Sequence, residues 1–374
     1  MTLTKRRRPG EIRDAIISVL SNRFESTAMS EIEKGVEARL GSTSASSIRS
    51  YLRLNTPELF ARTDRAEYIL TENFNARLPF DNEIKDVAPK YAYGRASLIQ
   101  MNCLDWFKQR ENNSVHAVVT DPPYGLFEYS PEQQAKLRNG KGGVWRIPPS
   151  FDGSKRAPLP RFTVLKASDV MALEEFFFRW AMLLLPKLVP GANVVVASNP
   201  LLSYAVSGAL VRAGLERRGE IVRLTMTMRG GDRPKAAHEE FSGVSVMPRS
   251  MWEPWLIFRR PLDGRVQDNL RKWKTGGFRR PSASKPFGDV IGSAPTRSSE
   301  RALAPHPSLK PQAFLRTVVR GVLPLGEGVV LDPFAGSGST LAASEAVGYE
   351  SVGVEMDAHY FAIAQNAIAK LARL

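Results

Sequence analysis

The stretch GVVLDPFAGSGSTLAASEAVGYESVGVEMD, residues 328–357, constrains the fold more than any other part of the chain. Its opening apolar run has no polar alternation and reads as a buried strand. A glycine-rich turn, FAGSGS, follows, then a helical stretch, then SVGVE, a second strand that ends on Glu355. Gly336 and Gly338 let the backbone come close to a ligand. Glu355, nineteen residues after Gly336, stands where an acid can bind ribose hydroxyls. A dinucleotide site is the competing reading, although DPFAGSGST lacks the G-x-G-x-x-G spacing. A phosphate-binding P-loop fails for want of a lysine after the second glycine. A tight turn with a purely structural role is the bland alternative.

The pattern around this unit is the same. From about residue 95, apolar strand candidates (SLIQM, VHAVVT, ANVVVAS, EIVRLTMTM, PWLIFR, GVVLD and ESVGVE) alternate with helical stretches over 170–188, 200–214, 311–323, 338–347 and 358–373. Alternation of this kind is the signature of a doubly wound α/β sheet. Two segments interrupt it. Residues 125–168 are rich in Gly, Pro and basic residues, and 261–305 are polar, basic and nearly free of periodicity.

Residues 10–72 form a separate compact unit by pattern. EIRDAIISVLSN places Ile12, Ala15, Ile16, Val19 and Leu20 on one helical face, and MSEIEKGVEARLG and SASSIRSYLRLN repeat that spacing. LFARTDRAEYIL reads as a hairpin with a turn near Asp64. Three helices and a hairpin suggest a winged helix-turn-helix, with a small helical bundle for protein contacts as the equal alternative. The organisation is then a winged-helix-like domain over 1–75, a linker over 76–94 and a large domain over 95–374.

Charge narrows the partners. The 374 residues carry a formal net charge of +14, which implies an anionic partner, most commonly nucleic acid. Between Arg249 and Arg301 stand twelve basic and five acidic residues, a net of +7, interleaved with Trp252, Trp255, Trp273, Phe278 and Phe287. Such a mixture suits phosphate contact with some stacking. No apolar run reaches the length of a spanning helix, and the start, MTLTKRRRPGEIRD, lacks the apolar core of a secretory signal. The sole cysteine, Cys103, excludes an internal disulfide and a Cys-based zinc site, and the four histidines show no metal spacing. The expectation is a cytoplasmic, metal-free protein with no membrane partner.

A second landmark, VVTDPPYGLF at 118–127, places an acid, two prolines and an aromatic at the mouth of a strand. Open α/β sheets bind ligands at that carboxyl edge. The prolines stiffen the turn and fix the carbonyl directions. Asp121 and the Pro122 carbonyl offer two acceptors and Tyr124 a flat face, a set that fits a planar base bearing an exocyclic amino group. Held towards two acceptors, that nitrogen loses conjugation with the ring and becomes a nucleophile. A rigid Asp-Pro turn is the bland alternative.

With these motifs in this order, the chain from about 95 to 374 resembles the S-adenosylmethionine-dependent amino-methyltransferases of DNA, which modify adenine N-6 or cytosine N-4. DPPY resembles the catalytic motif, HPSLKPQAFLRTVVR the segment preceding the cofactor strand, and VLDPFAGSGST and VGVEMD the cofactor motifs. Catalytic motif first is the order of the family's β group. The resemblance implies a circularly permuted Rossmann-like methyltransferase sheet with target recognition over 261–305. It implies Asp121, Pro122, Pro123 and Tyr124 on the base, and Asp332, Pro333, Phe334, Gly336 and Gly338 around the methionine, with Lys310 nearby. Glu355 takes the ribose. Asn102 stands where the family carries the acid that meets the cofactor's adenine. Arg259, Arg260, Arg271, Lys272, Lys274, Arg279 and Arg280 are the candidate DNA contacts. The implied activity is site-specific methylation of adenine N-6 in a flipped-out base, with cytosine N-4 or an inactive DNA-binding regulator as alternatives. The implied partners are double-stranded DNA, a cognate restriction endonuclease and a second copy in a homodimer, in a bacterial or phage setting at the nucleoid. A cytosine carbon-5 mechanism fails, because Cys103 sits in NCLD on an expected strand with no preceding proline.

Overall fold

The computed structural model describes residues 11–20, 26–56, 60–64, 66–70, 88–123, 167–229, 234, 237, 239–246, 248, 250–306 and 309–374. Contacts divide the chain into two units, Met1–Glu83 and Ile84–Leu374.

In the first unit, helices α1 (Glu11–Leu20), α2 (Met29–Leu40) and α3 (Ala45–Leu54) accompany strands β1 (Thr27–Ala28), β2 (Phe60–Asp64) and β3 (Glu67–Leu70). The strands form an antiparallel sheet in the order β1-β3-β2. Ile16, Ile32, Val36, Ile48, Leu52 and Phe60 close the core, so the apolar stripe of each helix faces inward. Ser44 caps α3 by accepting from the Ser47 backbone N–H at 3.2 Å. Strand β1 has two residues, too few for any periodicity to reveal it. Arg49 and Arg53 are exposed, with Arg49 3.3 Å from Glu33. Lys5–Arg8 lie outside the described residues.

The second unit is built on nine strands: β4 (Lys90–Tyr93), β5 (Ala96–Gln100), β6 (Val115–Thr120), β7 (Leu188–Ala197), β8 (Glu216–Arg229), β9 (Ser250–Arg259), β10 (Val290–Gly292), β11 (Val329–Asp332) and β12 (Glu350–Glu355). They are ordered β10-β8-β9-β7-β6-β11-β12-β5-β4. The five central strands, β7 to β5, run parallel. Val118, Val119, Val195, Val330, Leu331 and Val354 are wholly buried there, as unalternated apolar strands require. Helices α4 (Cys103–Gln109), α5 (Ala167–Leu184), α6 (Ser203–Arg212), α9 (Gln312–Val322), α10 (Ser339–Val347) and α11 (Ala358–Ala372) accompany the sheet. Phe314, Leu315, Val318 and Val322 of α9 pack with Val119, Val195 and Trp255, and the Phe314 and Trp255 rings meet edge to face at 5.1 Å.

Topology places the site. After β6 the chain continues through α5 to β7 on one side, whereas after β11 it continues through α10 to β12 on the other. Neighbours β6 and β11 are therefore a switch point, and a crevice opens beyond their carboxyl ends. Because β6 precedes β11, the order along the chain is the permuted one.

Three expectations need correction. Lys90–Tyr93, within the expected linker, form an edge strand antiparallel to β5, turned by Gly94 at φ 54°. Cys103 opens helix α4 instead of lying on a strand, because Asn102 caps that helix. The 261–305 segment is not without periodic structure. It holds α7 (Val266–Trp273), β10 and α8 (Ser298–Leu303). Helix α7 is anchored through a polar residue, the wholly buried Asn269, whose amide donates to the Pro190 and Thr275 carbonyls. A search for apolar stripes passes over such a helix.

Leu331 is wholly buried at the centre of β11. Leu331→Ala should cost about 2–5 kcal/mol of stability, read as a shift of the urea midpoint. A shift worth less than about 1 kcal/mol would contradict burial on both faces of this strand.

Candidate active site

Strand β6 ends on Thr120, whose hydroxyl donates to Asp332 Oδ1 at 2.7 Å across the switch point. Asp121 follows, with 17% of its side chain exposed, then buried Pro122 and exposed Pro123. Lys310 Nζ contacts Asp121 Oδ2 and lies 3.7 Å from Glu253 Oε1. Tyr124 lies outside the described residues.

On the β11 side the chain turns through Pro333 and Phe334. Asp332 Oδ1 also accepts the Phe334 N–H at 3.1 Å, which closes the turn on the strand that precedes it. Phe334 stacks on Trp180, with centroids 6.2 Å apart and planes 27° from parallel. Gly336 and Gly338 adopt φ of 51° and 81°, the left-handed region that side chains avoid. A Cβ at Gly338 would stand 2.5 Å from Ile368, and one at Gly336 would first meet the His306 ring, at 3.2 Å. Gly338 thus allows close packing with α11, and Gly336 faces the crevice. Glu355, at the end of β12, accepts the Gly336 and Asp357 N–H groups at 2.7 and 2.8 Å.

Burial governs the electrostatics. It pushes the Asp332 carboxyl up to about 6, against hydrogen bonds from Thr120, Thr340 and the Phe334 N–H that favour the carboxylate. It pushes Glu355 up to about 7, with Asp357 and Asp332 adding to the rise and two backbone N–H groups opposing it. Burial, then the charge of Lys310, lowers His306 to about 4, so its ring is neutral at pH 7. Burial also pushes the Cys103 thiol far up, which removes it as a nucleophile. Among the described residues no group of three or more His, Cys, Asp or Glu is arranged to hold a metal ion.

Asp121, Lys310, Asp332, Phe334 and Gly336 thus line one crevice with His306. Glu355 reaches it through Gly336. Asn102 lies two residues beyond β5, which pairs with β12, and its Oδ1 accepts the Leu104 N–H at 2.9 Å. The crevice has the parts that an adenosyl-type ligand requires: a glycine turn open to backbone approach, a buried acid beside it and an aromatic wall. The sequence reading passed over Thr120, His306, Glu253 and Arg223. His306 was legible as the first residue of HPSLKP. Glu253 and Arg223 were legible only as lone charges in two apolar strand runs, PWLIFR preceded by WE and EIVRLTMTM.

The candidate DNA contacts lie elsewhere. Arg260 donates its backbone N–H to the Ala192 carbonyl near the start of β7, and Arg279 donates to the Gly321 carbonyl and to the Tyr349 hydroxyl. These cations therefore gather at the amino edge of the parallel strands, about 20 Å from Asp121 by the length of a six-residue strand. Arg259 is ion-paired with Glu216 at 2.6 Å, and Arg260 contacts Asn113 and the Leu188 carbonyl. Arg271 and Lys272 are exposed beside Asp268 and Asp263, Lys274 is half-buried, and Arg280 is exposed. A cavity of about 230 Å³ at the same edge is lined by Asn193, Arg218, Arg259, Phe278 and Phe287. Asn193 and Arg259 are already bonded within the fold, so the convergent polar chemistry belongs to the switch-point crevice.

Residues 223–366 match the family model described as DNA methylase, for N-6 and N-4 methyltransferases. The Type II methyltransferase M2.DpnII of Streptococcus pneumoniae is 20% identical over 285 residues, covering 75% of this chain and 92% of the relative. The Type II methyltransferase M.HindIII of Haemophilus influenzae is 23% identical over 285 residues, covering 70% and 91%. Among solved structures, the cytosine-N4-specific PvuII DNA methyltransferase superposes with a TM-score of 0.49 at 14% identity, over 77% of this chain and 95% of that one.

The raised Glu355 pKa has a measurable sign. The native state holds this proton more firmly than the unfolded chain does, so stability is lost as pH rises from the ordinary carboxylate range through about 7. Glu355→Gln cannot ionise. Its Tm relative to the wild-type protein should therefore climb between pH 5 and pH 8, whatever its offset at pH 5. A constant offset across that range would contradict the buried acid.

Proposed function

We propose, for a chain that belongs to the DNA amino-methyltransferase family of adenine N-6 and cytosine N-4 enzymes, that it methylates adenine N-6 in duplex DNA with S-adenosylmethionine as donor. The observation that carries this reading is the Asp121 carboxylate at the mouth of β6, directly beside the glycine turn of β11.

Bound S-adenosylmethionine supplies a methyl group carried on a sulfonium. Gly336 and Gly338 would admit its methionine portion beside Phe334, Glu355 would accept from the ribose hydroxyls, and Asn102 would meet the adenine. The target base is flipped out of the duplex, since its amino group cannot reach a buried methyl inside the stack. Asp121 and the Pro122 carbonyl accept the two amino hydrogens, and the base stacks on Tyr124. The nitrogen lone pair would leave conjugation and take the methyl, its N–C bond forming as the donor's C–S bond broke, and Asp121 would pass the surplus amino proton to solvent. No covalent enzyme intermediate is needed. Asp121 supports adenine over cytosine through the family resemblance, because cytosine N-4 enzymes of this group more often carry Ser there.

Base reading falls to elements at the carboxyl edge, and the amino-edge cations of 259–280 are at most outlying phosphate contacts. The N-terminal unit is an auxiliary DNA anchor, with the basic run Lys5–Arg8 and exposed Arg49 and Arg53 as its cations. Similarity to Type II methyltransferases supports a cytoplasmic restriction-modification setting with a cognate restriction endonuclease. A homodimer is the assembly we expect.

Incubation with DNA and labelled cofactor, followed by digestion to nucleosides, should give N-6-methyladenine. N-4-methylcytosine would transfer the reading to cytosine, and no product would leave an inactive DNA-binding protein. Asp121→Ala should abolish transfer while cofactor affinity stays within a few-fold.

Deleting residues 1–75 should weaken affinity for all duplexes alike and flatten its salt dependence, because phosphate contacts carry no sequence information. The methylated sites should stay the same. A changed recognition site would contradict the anchor role, and unchanged affinity would make the unit a protein-interaction module.

A further inference from the structure

Four charged side chains form a row that begins in the outer strands and ends at the base-holding acid. Arg223 of β8 donates from Nη1 to Glu253 Oε2 of β9 at 3.1 Å, Glu253 Oε1 lies 3.7 Å from Lys310 Nζ, and Lys310 contacts Asp121. The Arg223, Glu253 and Lys310 side chains are only 4%, 5% and 8% exposed. Each is held from the side as well. Arg223 Nε donates to Ser293 Oγ at 3.0 Å and its guanidinium lies 5.1 Å from the Phe314 ring centroid. Trp255 Nε1 donates to Glu253 Oε1 at 3.0 Å.

The row is neutral as a set, two cations and two anions, so no member is buried without an opposite charge. Stability alone is a poor reason for it. A buried ion pair rarely beats well-packed apolar residues, and removing one partner strands a charge. The Arg223–Glu253 pair lies in strands whose neighbours are apolar. It meets Lys310.

We propose that Glu253, held by Arg223 and Trp255, is a positioning residue for methyl transfer, acting on Asp121 through Lys310. This rests on the function proposed above. Lys310 on Oδ2 fixes the rotation of the Asp121 carboxylate and so the direction in which its oxygens accept the amino hydrogens. An undivided ammonium charge on Asp121 would weaken it as an acceptor. Glu253 shares that charge, so that Lys310 orients Asp121 without quenching it. A static row of this kind sets geometry before the base arrives, as preorganised sites do.

The test is single-turnover methylation at saturating DNA and cofactor, with calorimetric cofactor binding alongside. Glu253→Gln keeps the shape and removes the charge, and it should lower the transfer rate by about 10- to 100-fold, the range typical of outer partners of catalytic groups. Cofactor affinity and the KM for DNA should stay within about threefold, as expected for an interaction that acts in the transition state alone. Glu253→Asp should recover part of the rate. In a Lys310→Met background the same Glu253→Gln change should cost little more, because the route through Lys310 is already gone. Ser293→Ala, a milder change that removes the acceptor of Arg223 Nε and a local bond to the Ala294 carbonyl, should lower the rate in the same direction and keeps the test standing if Glu253→Gln does not fold. An unchanged rate in Glu253→Gln or Ser293→Ala, or full additivity with Lys310→Met, would overturn the inference while wild-type turnover upholds the function. Absence of methyl transfer by the wild-type protein would overturn both.

Discussion

The parallel pairing of β6 with β11, Ala117 against Val330 and Val118 against Leu331, is the constraint on which the rest of the second unit depends. It joins segments that lie 212 residues apart, as the hydrogen bond from Thr120 to Asp332 measures. Ala117, Val118 and Val119 of β6 and Val330 and Leu331 of β11 are wholly buried, so the pair is covered on both faces and its carboxyl end opens to the crevice. Slipping the register by one residue would carry Asp121 away from the glycine turn and turn Val119 out of the α9 core. Packing and chemistry are therefore fixed by the same ladder.

The crevice gathers buried acids. Asp332 and Glu355 are both pushed above the ordinary carboxylate range by burial, and Asp357 adds its charge to Glu355. Backbone N–H groups of the turn oppose the effect without cancelling it. A bound molecule that offers hydroxyl or ammonium donors would favour the carboxylate form of both groups. The row from Arg223 to Asp121 is arranged differently, since its charges balance internally and need no ligand.

Topology decides where a charge along the sequence comes to lie. The basic excess between Arg249 and Arg301 is real, yet Arg259 and Arg279 are bonded into the fold at the amino edge. Antiparallel β9 carries the chain away from the crevice, so residues that follow it begin at the opposite end of the sheet. Only after β10, parallel to β8, does the chain return, through Ser293 and α8, to the carboxyl edge where His306 and Lys310 sit.

The sequence by itself determined the parts that local physics controls. Unalternated apolar runs marked the buried strands, the left-handed positions of Gly336 and Gly338 could be filled by little except glycine, and Asp121 and Glu355 followed from strands ending at an acid. The edge strand Lys90–Tyr93 and the polar anchoring of α7 were beyond reach, because each depends on a partner distant in sequence or on too few residues to show a period, whereas the Asn102 cap bonds Leu104 two residues on and is a local signal. Tertiary structure alone decided that Glu253 and Arg223, single charges in apolar strands, meet Lys310, and that Arg260 and Arg279 are bonded at the amino edge of the sheet. The physical reason is the same in both cases. Strand direction and sheet order decide which ends of distant segments meet, and no property of a single segment encodes them.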